Sequence, residues 1–173
     1  MIAVWRSFVL GVVWILWALA SGGPGGAQET EPQPPPDATL VREVQGGGAQ
    51  VYACRATPAG GFAWTLVGPK AVLIADDGSD FGTHSAGPIW VAVDGSMIGA
   101  DGAHPLAKVE HPQSVASLLL RVTSSRGDGA LAGVRYVRRT DTAGGLPPAG
   151  GCDAQHVGGV SARHYSAVYS FYR

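Results

Sequence analysis

From residue 49 to the C-terminus, short runs of alternating apolar and polar residues recur every 10 to 20 positions, each bounded by Gly, Pro or Asp. No window there holds a sustained helical stripe. A chain patterned this way buries its backbone by pairing strands. The runs are 49–57 (AQVYACRAT), 62–66 (FAWTL), 70–75 (KAVLIA), 89–93 (IWVAV), 115–123 (VASLLLRVT), 131–139 (LAGVRYVRR) and 164–172 (HYSAVYSFY). In the last run Tyr165, Ala167, Tyr169 and Phe171 share one face, and His164, Ser166 and Ser170 share the other. Runs 70–75 and 89–93 are apolar on both faces and are expected in the middle of the architecture. The fold class expected is all-β: a single-domain antiparallel β-sandwich or barrel. The composition agrees, because 26 Gly, 12 Pro and 14% charged residues suit tight turns better than long helices.

At 173 residues the chain can bury one substantial core. A net charge of −1 offers no basic field for nucleic acid. Residues 1–27 read as a signal peptide: a short n-region with Arg6, an apolar run from Ser7 to Ala20, and small-x-small sites for cleavage after Ala20 or Ala27. The run is too short for a stable membrane span, so none is expected after cleavage. Residues 28–37 (QETEPQPPPD) read as a Pro-rich linker, and 38–173 as the β domain. Secreted or periplasmic localisation follows. In that oxidising setting Cys54 and Cys152, 98 positions apart, are expected to form one disulfide.

A local echo orders the candidate site residues. Gly68-Pro69, an apolar strand and Asp77-Gly78-Ser79 are followed by Gly87-Pro88, an apolar strand and Asp94-Gly95-Ser96. Gly-Pro opening a strand and Asp-Gly turning it is hairpin chemistry. The second copy adds His84 and Trp90, which with Trp64 would line a pocket for a small-molecule or glycan ligand, a flat one included. The leading expectation is therefore a small-ligand or envelope-associated binding module. Two alternatives stand beside it: a hydrolase-like enzyme using His84 with Asp94 or Ser96, and a purely structural domain. Ser96 lacks a nucleophile elbow, so no catalytic residue is assigned.

Other features carry less. His104, His111, His156 and His164 lack metal-site spacing, and Asp76–Asp80 lacks the Glu that closes a calcium loop. Neither a metal nor a cofactor is expected. Arg126-Gly127-Asp128 reads as a hairpin tip. Arg135, Arg138 and Arg139 leave a strand and have the chemistry to bind an anion, although a solvated strand end accounts for them as well.

Several stretches together resemble the family called domain of unknown function 3455, of exported bacterial and fungal proteins. They are Gly48–Cys54, Trp64 with Gly68–Ala71, His84–Trp90 with Asp94–Ser96, Tyr136–Gly145 with Pro148 and Cys152, and Tyr165–Tyr172. The resemblance covers about residues 40 to 173. The family often has a Trp before the leucine run, where this chain has Ala116-Ser117. The resemblance implies an exported domain and no particular activity.

Overall fold

The computed structural model describes residues 30–173. The signal-peptide reading lies outside the described residues. Nine strands follow in order: β1 (Leu40–Ala56), β2 (Phe62–Ile74), β3 (Asp80–Ser85), β4 (Ile89–Ala92), β5 (Met97–Ala100), β6 (Ala107–His111), β7 (Ser114–Arg126), β8 (Tyr136–Gly144) and β9 (Val160–Tyr172). They form one antiparallel sheet in the order β5-β4-β3-β2-β1-β9-β8-β7-β6. Pairing of β5 with β7 closes this sheet into a ring of eight strands. Strand β7 manages both roles along one edge. Its first half, Ser114–Leu119, pairs β6, and its second half, Val122–Arg126, pairs β5. Of the two architectures expected, the protein is the barrel, and β6 lies outside the ring.

A closed ring has one inner and one outer face, and the outer face of a strand meets solvent unless another segment lies over it. This corrects the expectation for runs 70–75 and 89–93. Ala71, Leu73, Trp90 and Ala92 point inward, while Val72 and Val93 stand 55% and 72% exposed outside. Strand β9 is as read: Tyr165, Ala167, Tyr169 and Phe171 are all buried.

Other departures have local causes. The stretches 62–66 and 70–75 are one strand, because Val67, beside Gly68-Pro69, makes a bulge opposite Val51/Tyr52 instead of a break. Strand β3 (DFGTHS) has no apolar alternation. A bulge between its partners Leu73 and Ile74 lets both Phe81 and His84 be buried. Strands β5 and β6 are too short to pattern. Strand β8 starts at Tyr136, because 131–133 is turn and 134–135 irregular, and Leu131 and Val134 plug one end of the barrel. Residues 30–37, expected as a tether, lie against the body: Pro32 is buried and Glu31 Oε1 is 3.6 Å from His111 Nε2.

The core fills the plugged end with Val44, Leu73, Phe81, Ile98, Val137 and Phe171 among others. Gly46 makes room for the central aromatic. A Cβ there would stand 2.5 Å from the Tyr169 ring, whereas one on its outward neighbour Gly47 would meet nothing. At the opposite end the 145–159 connection is pinned across β1. Cys54 and Cys152 form the disulfide, Cys54 N donates to Gly159 O, and Tyr52 Oη donates to Gly145 O at 2.7 Å. A structural disulfide of this kind belongs to an oxidising environment.

Candidate functional site

An eight-stranded ring has an interior just wide enough to be filled by side chains or to hold one small ligand. This barrel does the first at its plugged end and leaves a cavity of about 450 Å³ toward the other. The cavity lies under the β2 bulge (Leu66–Pro69), the β3–β4 turn (Gly87-Pro88) and the loop after β5 (Asp101–Ala103). Its deeper wall is Gln50, His84, Trp90, Leu118, Leu120, Val137, Arg139 and Tyr169.

His84 and Trp90 face each other across β3 and β4 as a register pair. Their rings stack with centroids 4.3 Å apart and planes 6° from parallel. The Tyr169 ring stands edge-on to both, at 5.1 Å and 6.0 Å. His84 Nδ1 donates to the Ile89 carbonyl at 2.9 Å, which leaves Nε2 as the acceptor nitrogen of the neutral ring. Burial, opposed by that hydrogen bond, pushes the His84 pKa down to about 4, so the ring is neutral at pH 7. Tyr169 Oη shares a 3.1 Å hydrogen bond with Tyr165 Oη. Burial raises both phenols, which stay protonated.

Two buried polar atoms in this wall have no partner among the described residues: Gln50 Oε1, on a side chain 2% exposed, and Trp90 Nε1, on one 1% exposed. Buried donors and acceptors are nearly always hydrogen-bonded, and leaving one bare costs about 1–3 kcal/mol.

Of the three pocket residues expected from sequence, His84 and Trp90 come together in the cavity wall and Trp64 does not. Trp64 sits further along β2, opposite Cys54, and its Nε1 donates to Gly150 O at 2.8 Å. It anchors the disulfide-bearing loop. The Trp90 ring is buried against His84 and Tyr169, and it also forms cavity wall.

His84 is not joined to Asp94 or Ser96. Asp94 Oδ1 accepts from Ser96 N and Ser96 Oγ at 2.8 and 2.6 Å, and Oδ2 accepts from Ala130 N at 2.7 Å. Ser96 Oγ in turn accepts from Leu131 N at 3.1 Å. These groups are fully engaged in holding a turn, and Asp94 lies beyond the end of β4, four positions after Trp90 beside His84. Among the described residues no hydrogen bond joins His84 to Ser96, so these three residues do not form a triad.

Three of the four other histidines pair locally: His104 with Asp101 at 3.0 Å, His156 with Asp153 at 2.7 Å, and His111 with Ser117 Oγ at 2.8 Å. Among the described residues no three His, Cys, Asp or Glu side chains converge on a metal site, and no helix is long and apolar enough to cross a membrane.

Sequence reasoning missed Gln50, which alternation alone places on an inner face without marking it as functional. In the sequence Arg139 reads only as part of a basic strand end. It lies half-buried inside the barrel, opposite Tyr169.

No curated protein and no solved structure matches this chain. A family model does, over residues 34–173, which takes in every strand and the whole cavity wall. The chain therefore belongs to the family described as protein of unknown function (DUF3455).

Proposed function

We propose that the protein is an exported binding module that holds one small organic molecule in the barrel cavity. The observation that carries this reading is the pair of unpartnered buried atoms, Gln50 Oε1 and Trp90 Nε1, in the wall of a roomy cavity. A mostly apolar concavity with a few convergent polar groups is the usual form of a small-ligand site, and about 450 Å³ falls in the usual size range. The disulfide supports placement outside the reducing cytosol, in the medium or periplasm. Nothing in the net charge of −1 favours nucleic acid as a partner.

The two indole N–H groups provide the test. The Trp90 indole resonance in a proton–nitrogen correlation spectrum should move saturably during titration with naphthol, catechol or methyl glucoside. The Trp64 indole, hydrogen-bonded to Gly150 outside the cavity, should stay in place. Replacing Ala100 in the cavity wall by Phe should abolish the movement, with the Trp64 resonance in its folded position reporting that the barrel remains intact. An unmoved Trp90 resonance across all three probes would end this reading.

A further inference from the structure

We propose that the cavity selects a small amphipathic monoanion, whose carboxylate pairs with Arg139 and whose apolar body lies along Leu118, Leu120 and Val137. This rests on the binding reading above and adds the charge class of the ligand.

Among the described residues only two charged side chains line the cavity, Arg139 in the wall and Asp101 at the rim. Asp101 is already engaged: Oδ1 accepts from Ala103 N and His104 N, and Oδ2 lies 3.0 Å from His104 Nδ1. Arg139 has no counter-ion, since no carboxylate of the described residues lies within ion-pair distance of it. An ionised group drawn into the interior without a partner is costly, and arginines found there are normally paired.

The guanidinium is held in position. Nε and Nη2 both donate to the Ala116 carbonyl, at 3.0 and 2.7 Å, which orients the plane; the guanidinium also hydrogen-bonds the Tyr169 phenol, and its other N–H groups are left for a ligand. A planar fork of this kind matches a carboxylate. Its positive charge is felt through the interior, lowering the proton affinity of His84, Tyr165 and Tyr169 alike.

Two features narrow the anion further. His84 is neutral, so the wall carries one positive charge and suits a monoanion better than a phosphate dianion. The apolar lining and a volume of about fifteen waters, at roughly 30 Å³ each, suit an organic acid better than an inorganic ion. Trp90 Nε1 and Gln50 Oε1 stand in the same wall to hydrogen-bond polar atoms on the acid's body.

Isothermal titration calorimetry of the purified protein tests this with cinnamate and decanoate, each against its own uncharged amide. At neutral pH the acid should bind about tenfold tighter or more, the size of one charge-assisted hydrogen bond. Arg139→Gln should bring acid and amide to equal affinity by weakening the acid alone. Arg139→Lys keeps the charge and should keep the preference, which provides a readout even if the Gln variant fails to fold. Equal binding of acid and amide by the unaltered protein would overturn the charge assignment. If the amides still bind and move the Trp90 resonance, the cavity reading survives that result. A preference for acid that persists in Arg139→Gln would overturn it equally. No binding of acid or amide would overturn it too, and with an unmoved Trp90 resonance it would remove the cavity reading as well.

Discussion

His84 concentrates the residue-scale physics. Its ring is stacked on Trp90, tied to the Ile89 carbonyl and held neutral by burial. In the unfolded chain the same imidazole titrates near 6.5, and in the folded barrel near 4. Between those values the unfolded state binds more protons, so stability must rise with pH across that window. His84 thus contributes fully above about pH 6.5, and the contribution is lost as pH falls toward 4. At about 1.4 kcal/mol per pH unit its ceiling is roughly 3 kcal/mol. Urea unfolding at a series of pH values should show this slope in the unaltered protein and a flatter curve in His84→Gln over the same window. Equal slopes would mean that some other group is titrating. The carboxylates held low by hydrogen bonds, Asp77, Asp94, Asp101 and Asp153, act below their ordinary value of 3.8 and so fall outside this window.

At the scale of elements, the two Asp-Gly-Ser turns separate architecture from added function. Both are built alike. Asp77 Oδ1 accepts from Ser79 N and Oγ as Asp94 Oδ1 does from Ser96, and Gly78 and Gly95 take the left-handed φ of 82° and 84°. Only the second turn does more, because Asp94 Oδ2 and Ser96 Oγ capture the backbone of Ala130 and Leu131. That capture holds the loop whose Leu131 and Val134 plug the barrel. Asp94→Ala should therefore lower the melting temperature more than Asp77→Ala, and should loosen protection from hydrogen exchange across 130–134. Equal effects of the two substitutions would show that the docking contributes nothing. The echo was legible in sequence as hairpin chemistry, because turns are local. The docking was not, because Ala130 is 36 residues away from Asp94 and carries no side-chain signal.

At the scale of the whole molecule, the disulfide closes a 98-residue span and fastens the 145–159 connection across β1 near the cavity. Constraining a loop of that length in the unfolded chain stabilises by up to about 4–5 kcal/mol. Reduction should lower unfolding stability by about 2–5 kcal/mol. It should leave β3, β4 and the His84–Trp90 stack in place, since none of them touches that loop. Denaturant curves with and without reductant, read beside the Trp90 indole resonance, check both parts. Superimposable curves would refute the first, and a displaced indole the second.

The sequence by itself determined the strand-rich class, the inner face of β9, the two Asp-Gly-Ser turns and the cysteine pair. Each depends on period-2 alternation, turn residues or the mere number of cysteines, and these are written along the chain. Closure of the ring through β5 and β7 was decided only in three dimensions, because four-residue strands leave no pattern to read. So were the bulge that buries His84, the separation of Trp64 from Trp90, and the arrival of Arg139 inside the barrel. Alternation says which residues share a face; only the closed sheet decides which face is inside and which of its residues border open space.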